Sequence, residues 1–203
     1  MYQNPYPGKF IVFEGLDGSG QTTQAGLLSE YFKQLGKKVL LTKEPTKKSE
    51  SGKKIEDILK HRKTADGGEL QRIFAEDRNE HLEKEIIPAL KEGTNVISDR
   101  YFFSSFAFGS IDCDLEWLIG LNDDFMLPDA TFVLMVKPEM AVERIKKRGL
   151  ETTFFEELGK LKKIIKNYEL LRGRFGNLFF IDGERSVEEV HLEIVGKARN
   201  FIK

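Results

Sequence analysis

With 203 residues, 40% of them hydrophobic, the chain can bury one substantial core and falls within the ordinary size range of a single domain. Lys and Arg number 32 against 33 Asp and Glu, and the net charge of -1 excludes a global field that would gather nucleic acid or an anionic membrane. A lone cysteine, Cys113, excludes an internal disulfide and a thiolate zinc site, no segment is apolar enough to span a bilayer, and polar residues 1–9 with Pro5 and Pro7 do not read as a signal peptide. A cytoplasmic protein without nucleic-acid or membrane partners is therefore the expectation, and any anion site must be local.

Residues 1–8 read as an N-terminal extension, and the first strand is expected at the apolar run 10–13 (FIVF). A glycine-rich stretch, 15–23, then leads into a helix over 22–35 that stops at Gly36, and a second strand follows at 39–41. The Lys-rich region 43–63 is the least regular part of the chain; it is either a solvated face or, because it follows a strand end, part of a site. One long helix is expected over 69–91, closed by Gly93. Further strands are expected at 95–97, 131–136 and 178–181. Thr153 with Glu156 suggests another helix start, and Ser186 with Glu189, ahead of Val190 and Ile194, forms a capping box. Five apolar runs without alternation, separated by helices, imply strands covered on both faces and joined by crossovers. The fold class is α/β, a three-layer α/β/α domain over 9–203 with a five-stranded parallel sheet.

The stretch Gly15-Leu16-Asp17-Gly18-Ser19-Gly20-Gln21-Thr22-Thr23 between strand and helix matches the phosphate-binding P-loop, GxxxxGK followed by Ser or Thr, with one substitution. Its glycines let successive N–H groups turn around a phosphate at the helix N-terminus, and Thr22 offers a hydroxyl to Mg2+. Gln21 stands at the lysine position. An amide donates a hydrogen bond but brings no charge, and two unit charges about 4 Å apart are worth about 4 kcal/mol at an effective dielectric of 20. Other groups must neutralise the triphosphate, or turnover is impaired.

Together with Phe13-Glu14-Gly15, then Glu44-Pro45, Phe74-Ala75-Glu76-Asp77-Arg78 and Asp99-Arg100-Tyr101, the loop makes the chain from about Lys9 onward resemble the thymidylate kinase family of P-loop nucleoside monophosphate kinases. The resemblance implies ATP as donor, Mg2+ as cofactor, dTMP as acceptor and a homodimer formed through packed helices. It implies that Gly15, Asp17, Gly18, Ser19, Gly20, Gln21, Thr22 and Thr23 hold the ATP phosphates, while Thr22 and Asp99 hold the metal. For dTMP it points to Phe74 stacking on thymine, Arg78 bonding to the base, Arg100 on phosphate, Asp17 near the sugar 3'-hydroxyl, and Ser104, Ser105 and Phe108 completing the pocket. Phe106 and Gly109 stand where many relatives carry polar residues, commonly glutamine. Simple packing is the expectation for at least half of Phe102, Phe103, Phe106 and Phe108. Glu44-Pro45 resembles the family's turn after the second strand, with a cis proline among the expectations and Lys47 near the position of a phosphate-binding arginine. Residues 144–156 resemble the family's lid. Because the P-loop has no arginine, Arg144 and Arg148, on one helical face, are the expected catalytic cations beside Arg100 and Asp17, whereas Lys146 and Lys147 also suit a helix C-terminus. Residues 181–186 resemble the loop on which the family rests adenine.

Transfer to an already ionised phosphate needs no dedicated general base, so catalysis reduces to positioning and charge neutralisation. His61, His81 and His191 then read as structural or exposed. Two alternatives stay open: a deoxynucleoside or other nucleotide kinase, with Glu14 or Asp99 as base, and a catalytically weak nucleotide-binding protein.

Overall fold

The computed structural model describes residues 1–60, 62–147 and 154–201, with backbone alone for 154–157. In chain order the elements are β1 (Tyr2–Gln3), β2 (Phe10–Gly15), α1 (Gln21–Gln34), β3 (Val39–Lys43), α2 (Glu50–Leu59), α3 (Gly67–His81), α4 (Ile87–Lys91) and β4 (Asn95–Asp99). They continue with α5 (Phe102–Gly109), α6 (Leu115–Leu121), β5 (Met126–Leu127), β6 (Ala130–Met135), α7 (Pro138–Lys147), α8 (Phe154–Leu171), β7 (Leu178–Asp182) and α9 (Val187–Ala198).

The five expected strands form one sheet in the order β3-β4-β2-β6-β7, every pair parallel. Alternation along the central strand separates two cores. Ile11 and Phe13 join Ala25, Leu28, Phe32, Val190 and Ile194 beneath α1 and α9, whereas Phe10 and Val12 join Leu82, Leu90, Phe102, Phe106, Ile164 and Tyr168 beneath α3 to α5 and α8. The result is the expected three layers, and all six residues of β2 are buried, as a strand covered on both faces requires. Gly36 and Gly93 close their helices at φ 73° and 76°, and Ser186 and Glu189 form the capping box of α9.

Three local features depart from the sequence reading. The helix expected over 69–91 is interrupted by a π turn, Leu82–Ile86, just before Pro88. Pro88 lacks the N–H that a regular α-helix would direct to residue 84, and the widened turn accommodates that gap. Part of the irregular Lys-rich region is the helix α2, whose first turn is capped by Ser49 Oγ accepting from Gly52 N at 2.7 Å. Finally, residues 1–8 are docked: β1 pairs in parallel with β5, and the N-terminal ammonium lies 2.7 Å from Asp123 Oδ1. No helix of the described residues is long and apolar enough to cross a membrane.

Candidate active site

The carboxyl ends of β2, β3 and β4 meet at one edge of the sheet, where β2, the first strand of this sheet in sequence, lies centrally and its neighbours are reached by crossovers to either side. Gly15, Gly18 and Gly20 take φ 148°, 84° and 100° around the loop, Ser19 N donates to Leu16 O at 2.9 Å, and Gln24 N donates to Gly20 O at 3.0 Å, starting α1. Glycine is required at position 15 twice over, since a Cβ there would also stand 2.7 Å from Leu134 O. The N-terminus of a 14-residue helix therefore opens on a loop with backbone donors, an anion-binding arrangement. Gln21 is only 5% exposed, with Oε1 3.5 Å from Ser19 Oγ, and adds no charge to it.

The β4 end supplies the complementary groups. Asp99 Oδ2 accepts from Thr22 Oγ1 at 2.6 Å and from Lys43 Nζ at 2.8 Å, while Oδ1 is buried without a partner. Lys43 and Asp99 are register partners at the ends of β3 and β4, so the sheet itself places this ammonium beside the Thr22 hydroxyl. A hydroxyl and a carboxylate with one unclaimed oxygen suit a hard cation. No group of three or more His, Cys, Asp or Glu that could hold a metal exists among the described residues, so such an ion would draw its remaining ligands from phosphate and water.

Arg100 is the non-glycine residue with positive φ, 79°, among those described, a backbone conformation that costs an L-residue about 1–2 kcal/mol. Its Nη1 donates to Gly15 O at 3.1 Å and to Ser104 Oγ at 2.9 Å, and its Nη2 to Asp17 Oδ1 at 2.7 Å. The same guanidinium lies 5.1 Å from the ring centre of Phe108. It thus joins the P-loop to a cavity of about 550 Å³ lined by Asp17, Phe74, Arg78, Ser104, Ser105 and Phe108 among others. Every acceptor-site residue inferred from the sequence borders this one space, whereas Lys47 is not among the residues lining it.

Two buried carboxylates hold the cavity wall. Glu44 Oε2 accepts from Arg78 Nε at 2.9 Å, and Arg78 donates further to Asn122 Oδ1 at 2.6 Å and Ser105 Oγ at 3.3 Å, leaving a fully buried guanidinium paired and fixed in orientation. His81 completes this group between Thr42 and Glu44, a structural role, and the Glu44-Pro45 bond is cis. Glu14 accepts from Tyr101 N, Ser104 N, Ser104 Oγ and Tyr168 OH at 2.5–3.0 Å. Burial pushes its carboxyl up to about 7, against the lowering effects of Arg100 and of these hydrogen bonds. With no exposed surface and four donors already pointing at it, Glu14 is not presented to an acceptor hydroxyl as a base. Phe102, Phe103 and Phe106 are wholly buried packing residues, and Phe108 faces the cavity edge.

On the far side of the P-loop, Arg144 donates to Gly183 O at 3.0 Å from both Nη atoms and approaches the carbonyls of Gly18 and Ser19 at 3.4 and 3.3 Å. It fastens α7 to the P-loop and to the loop after β7. Arg148, Gly149 and the Thr153 helix start fall outside the described residues, as does His61. Two residues here were not singled out from the sequence, Lys43 having figured only as the start of the Lys-rich region 43–63. Lys43 carried a signal, a cation closing the strand next but one to the P-loop strand; Gln71, which lines the cavity, carried none before α3 and α5 were seen to face each other.

The sequence model described as "Thymidylate kinase" matches residues 13–194. A protein named "Probable thymidylate kinase" from Pyrococcus horikoshii is 42% identical over 199 residues, covering 95% of this chain and 97% of its own. A protein of the same name from Methanosarcina mazei is 36% identical, covering 97% and 98%. "Thymidylate kinase" from Desulfotalea psychrophila is 33% identical over 97% of both chains.

Proposed function

Because this chain belongs to the thymidylate kinase family, we propose that it transfers the γ-phosphoryl group of ATP to dTMP, giving dTDP and ADP. The observation that carries this reading is the double attachment of Arg100, which hydrogen-bonds to P-loop Gly15 and Asp17 while bordering the aromatic cavity of Phe74 and Phe108. A phosphate seated in the cavity mouth and a triphosphate in the P-loop would share that guanidinium, the geometry an in-line transfer needs. Phe74 offers a face for stacking a base, Arg78 and Ser105 polar contacts at its edge, and Asp17 an acceptor for a sugar hydroxyl.

Thr22 and Asp99 are the residues that would hold Mg2+, whose chemistry is to neutralise phosphate oxygens. Lys43, held by Asp99 beside them, is the cation this reading assigns to stand in for the charge that Gln21 lacks. Arg144 holds the loop that Arg100 faces, and Arg148 remains a candidate donor from the lid, 144–156. The absence of an available base at Glu14 favours a monophosphate acceptor over a nucleoside hydroxyl. A cytoplasmic homodimer is part of the same proposal, supported by family membership alone.

The test is direct. Purified protein with ATP and Mg2+ is offered dTMP, dUMP, dCMP, dGMP and the free nucleosides, and dTDP is the expected product. Absence of diphosphate from every monophosphate rejects the reading, and phosphorylation of nucleosides instead selects the deoxynucleoside kinase.

A further inference from the structure

Gln71 lies three residues before Phe74 and seven before Arg78 on α3, so the three share one helical face, and all three border the cavity. It is 6% exposed, its Oε1 is buried without a partner, and its side chain makes no hydrogen bond to any described residue. Buried amides are nearly always paired, because an unpaired one forfeits its bonds to water. Across the cavity wall is Gly109 of α5, whose backbone is helical and does not itself demand glycine. A Cβ at 109 would stand 2.9 Å from Gln71 Cδ, 3.1 Å from Nε2 and 3.2 Å from Oε1. The glycine is what gives the amide its seat.

We propose that Gln71 reads the hydrogen-bonding edge of the acceptor base, selecting a pyrimidine with a protonated ring nitrogen beside a carbonyl. The inference rests on the cavity being the dTMP site. Arg78 can only donate, so it demands an oxygen on the base. Next to that oxygen, thymine and uracil present N3–H, and a carbonyl acceptor is the group that satisfies it; Gln71 Oε1, once its amide turns toward the bound base, is that acceptor, and its Nε2 donates to a carbonyl oxygen of the base. Cytosine presents an amino group to Arg78 and a bare nitrogen to Oε1, mismatched at both.

Steady-state kinetics with dTMP, dCMP and N3-methyl-dTMP separates the possibilities. In Gln71→Leu, KM for dTMP should rise about tenfold with kcat within about threefold, as expected for lost binding shared by ground and transition states. Discrimination against N3-methyl-dTMP should shrink, and the unfolding midpoint should not fall, since an unpaired polar group has been removed. Gly109→Ala should reproduce the KM effect by displacing the amide, without altering Gln71 itself. If Gln71→Leu leaves KM for dTMP within twofold and the preference over N3-methyl-dTMP unchanged, the amide does not read the base and the proposal is wrong. Failure of the unaltered protein to phosphorylate dTMP would instead remove the underlying function, a result distinct from any difference between variants.

Discussion

At the scale of single residues, the question raised by Gln21 is where the missing charge comes from. Lys43 shares one carboxylate oxygen of Asp99 with Thr22, which puts an ammonium beside the P-loop threonine from β3, the strand next but one to the P-loop strand. Partial exposure of Lys43, at 52% of its side chain, leaves it able to shift toward a phosphate without unfolding anything. Lys43→Ala should therefore lower kcat about a hundredfold, the scale of losing one oriented donor to a developing charge, with a smaller change in KM for dTMP. Gln21→Lys added to that variant should recover much of kcat. An undiminished kcat in Lys43→Ala would assign the neutralisation to Arg100 and the lid instead. The P-loop substitution was plain in the sequence, and so was the need for compensation; Lys43 was not, because its partnership with Asp99 is made across strands 56 residues apart.

At the scale of elements, α2 shows how a polar segment becomes a cavity wall. Ser49 caps its N-terminus and also donates to Asp77, which is 1% exposed and accepts from Thr46 N at 2.8 Å and Thr46 Oγ1 at 2.5 Å. The cap thus ties the turn after β3 to the middle of α3, on which Phe74 and Arg78 are carried. Ser49→Ala should destabilise the protein by about 2 kcal/mol in urea unfolding, a lost cap combined with a lost donor to a buried carboxylate, and should raise KM for dTMP. A change below about 0.5 kcal/mol would mean that the turn holds itself. The helix was not read from the sequence because Glu50, Lys53, Lys54, Glu56 and Asp57 present the segment as a solvated charged run, although Ile55, Ile58 and Leu59 recur at helical spacing. By contrast α1 and α9 were legible, since their glycine stop and capping box are local chemistry.

At the scale of the whole molecule, Glu14 joins three parts of the fold: it leaves the central strand and accepts from the start of α5 and from Tyr168 on α8. Its ordinary value of 4.5 is raised to about 7 by burial, so the folded protein holds a proton that the unfolded chain releases between these values. Stability from this group is therefore unaffected below about pH 4.5 and declines as pH rises toward 7, by about 3 kcal/mol if the full difference is expressed. Unfolding free energies measured across that range should fall more steeply for the unaltered protein than for Glu14→Gln, and parallel curves would show that Glu14 is ionised throughout. The sequence by itself determined the sheet, its layers and the P-loop, because each follows from short-range pattern: continuous apolar runs, glycine where φ is positive, a hydroxyl at a fixed spacing. It also named Arg100, Phe74 and Arg78 through a resemblance carried by contiguous motifs. Only the tertiary structure decided that Glu14 is enclosed, that Lys43 stands beside Asp99 and that Gln71 occupies the space left by Gly109. Those are contacts between elements distant along the chain, fixed by strand order and helix packing rather than by any residue's neighbours in sequence.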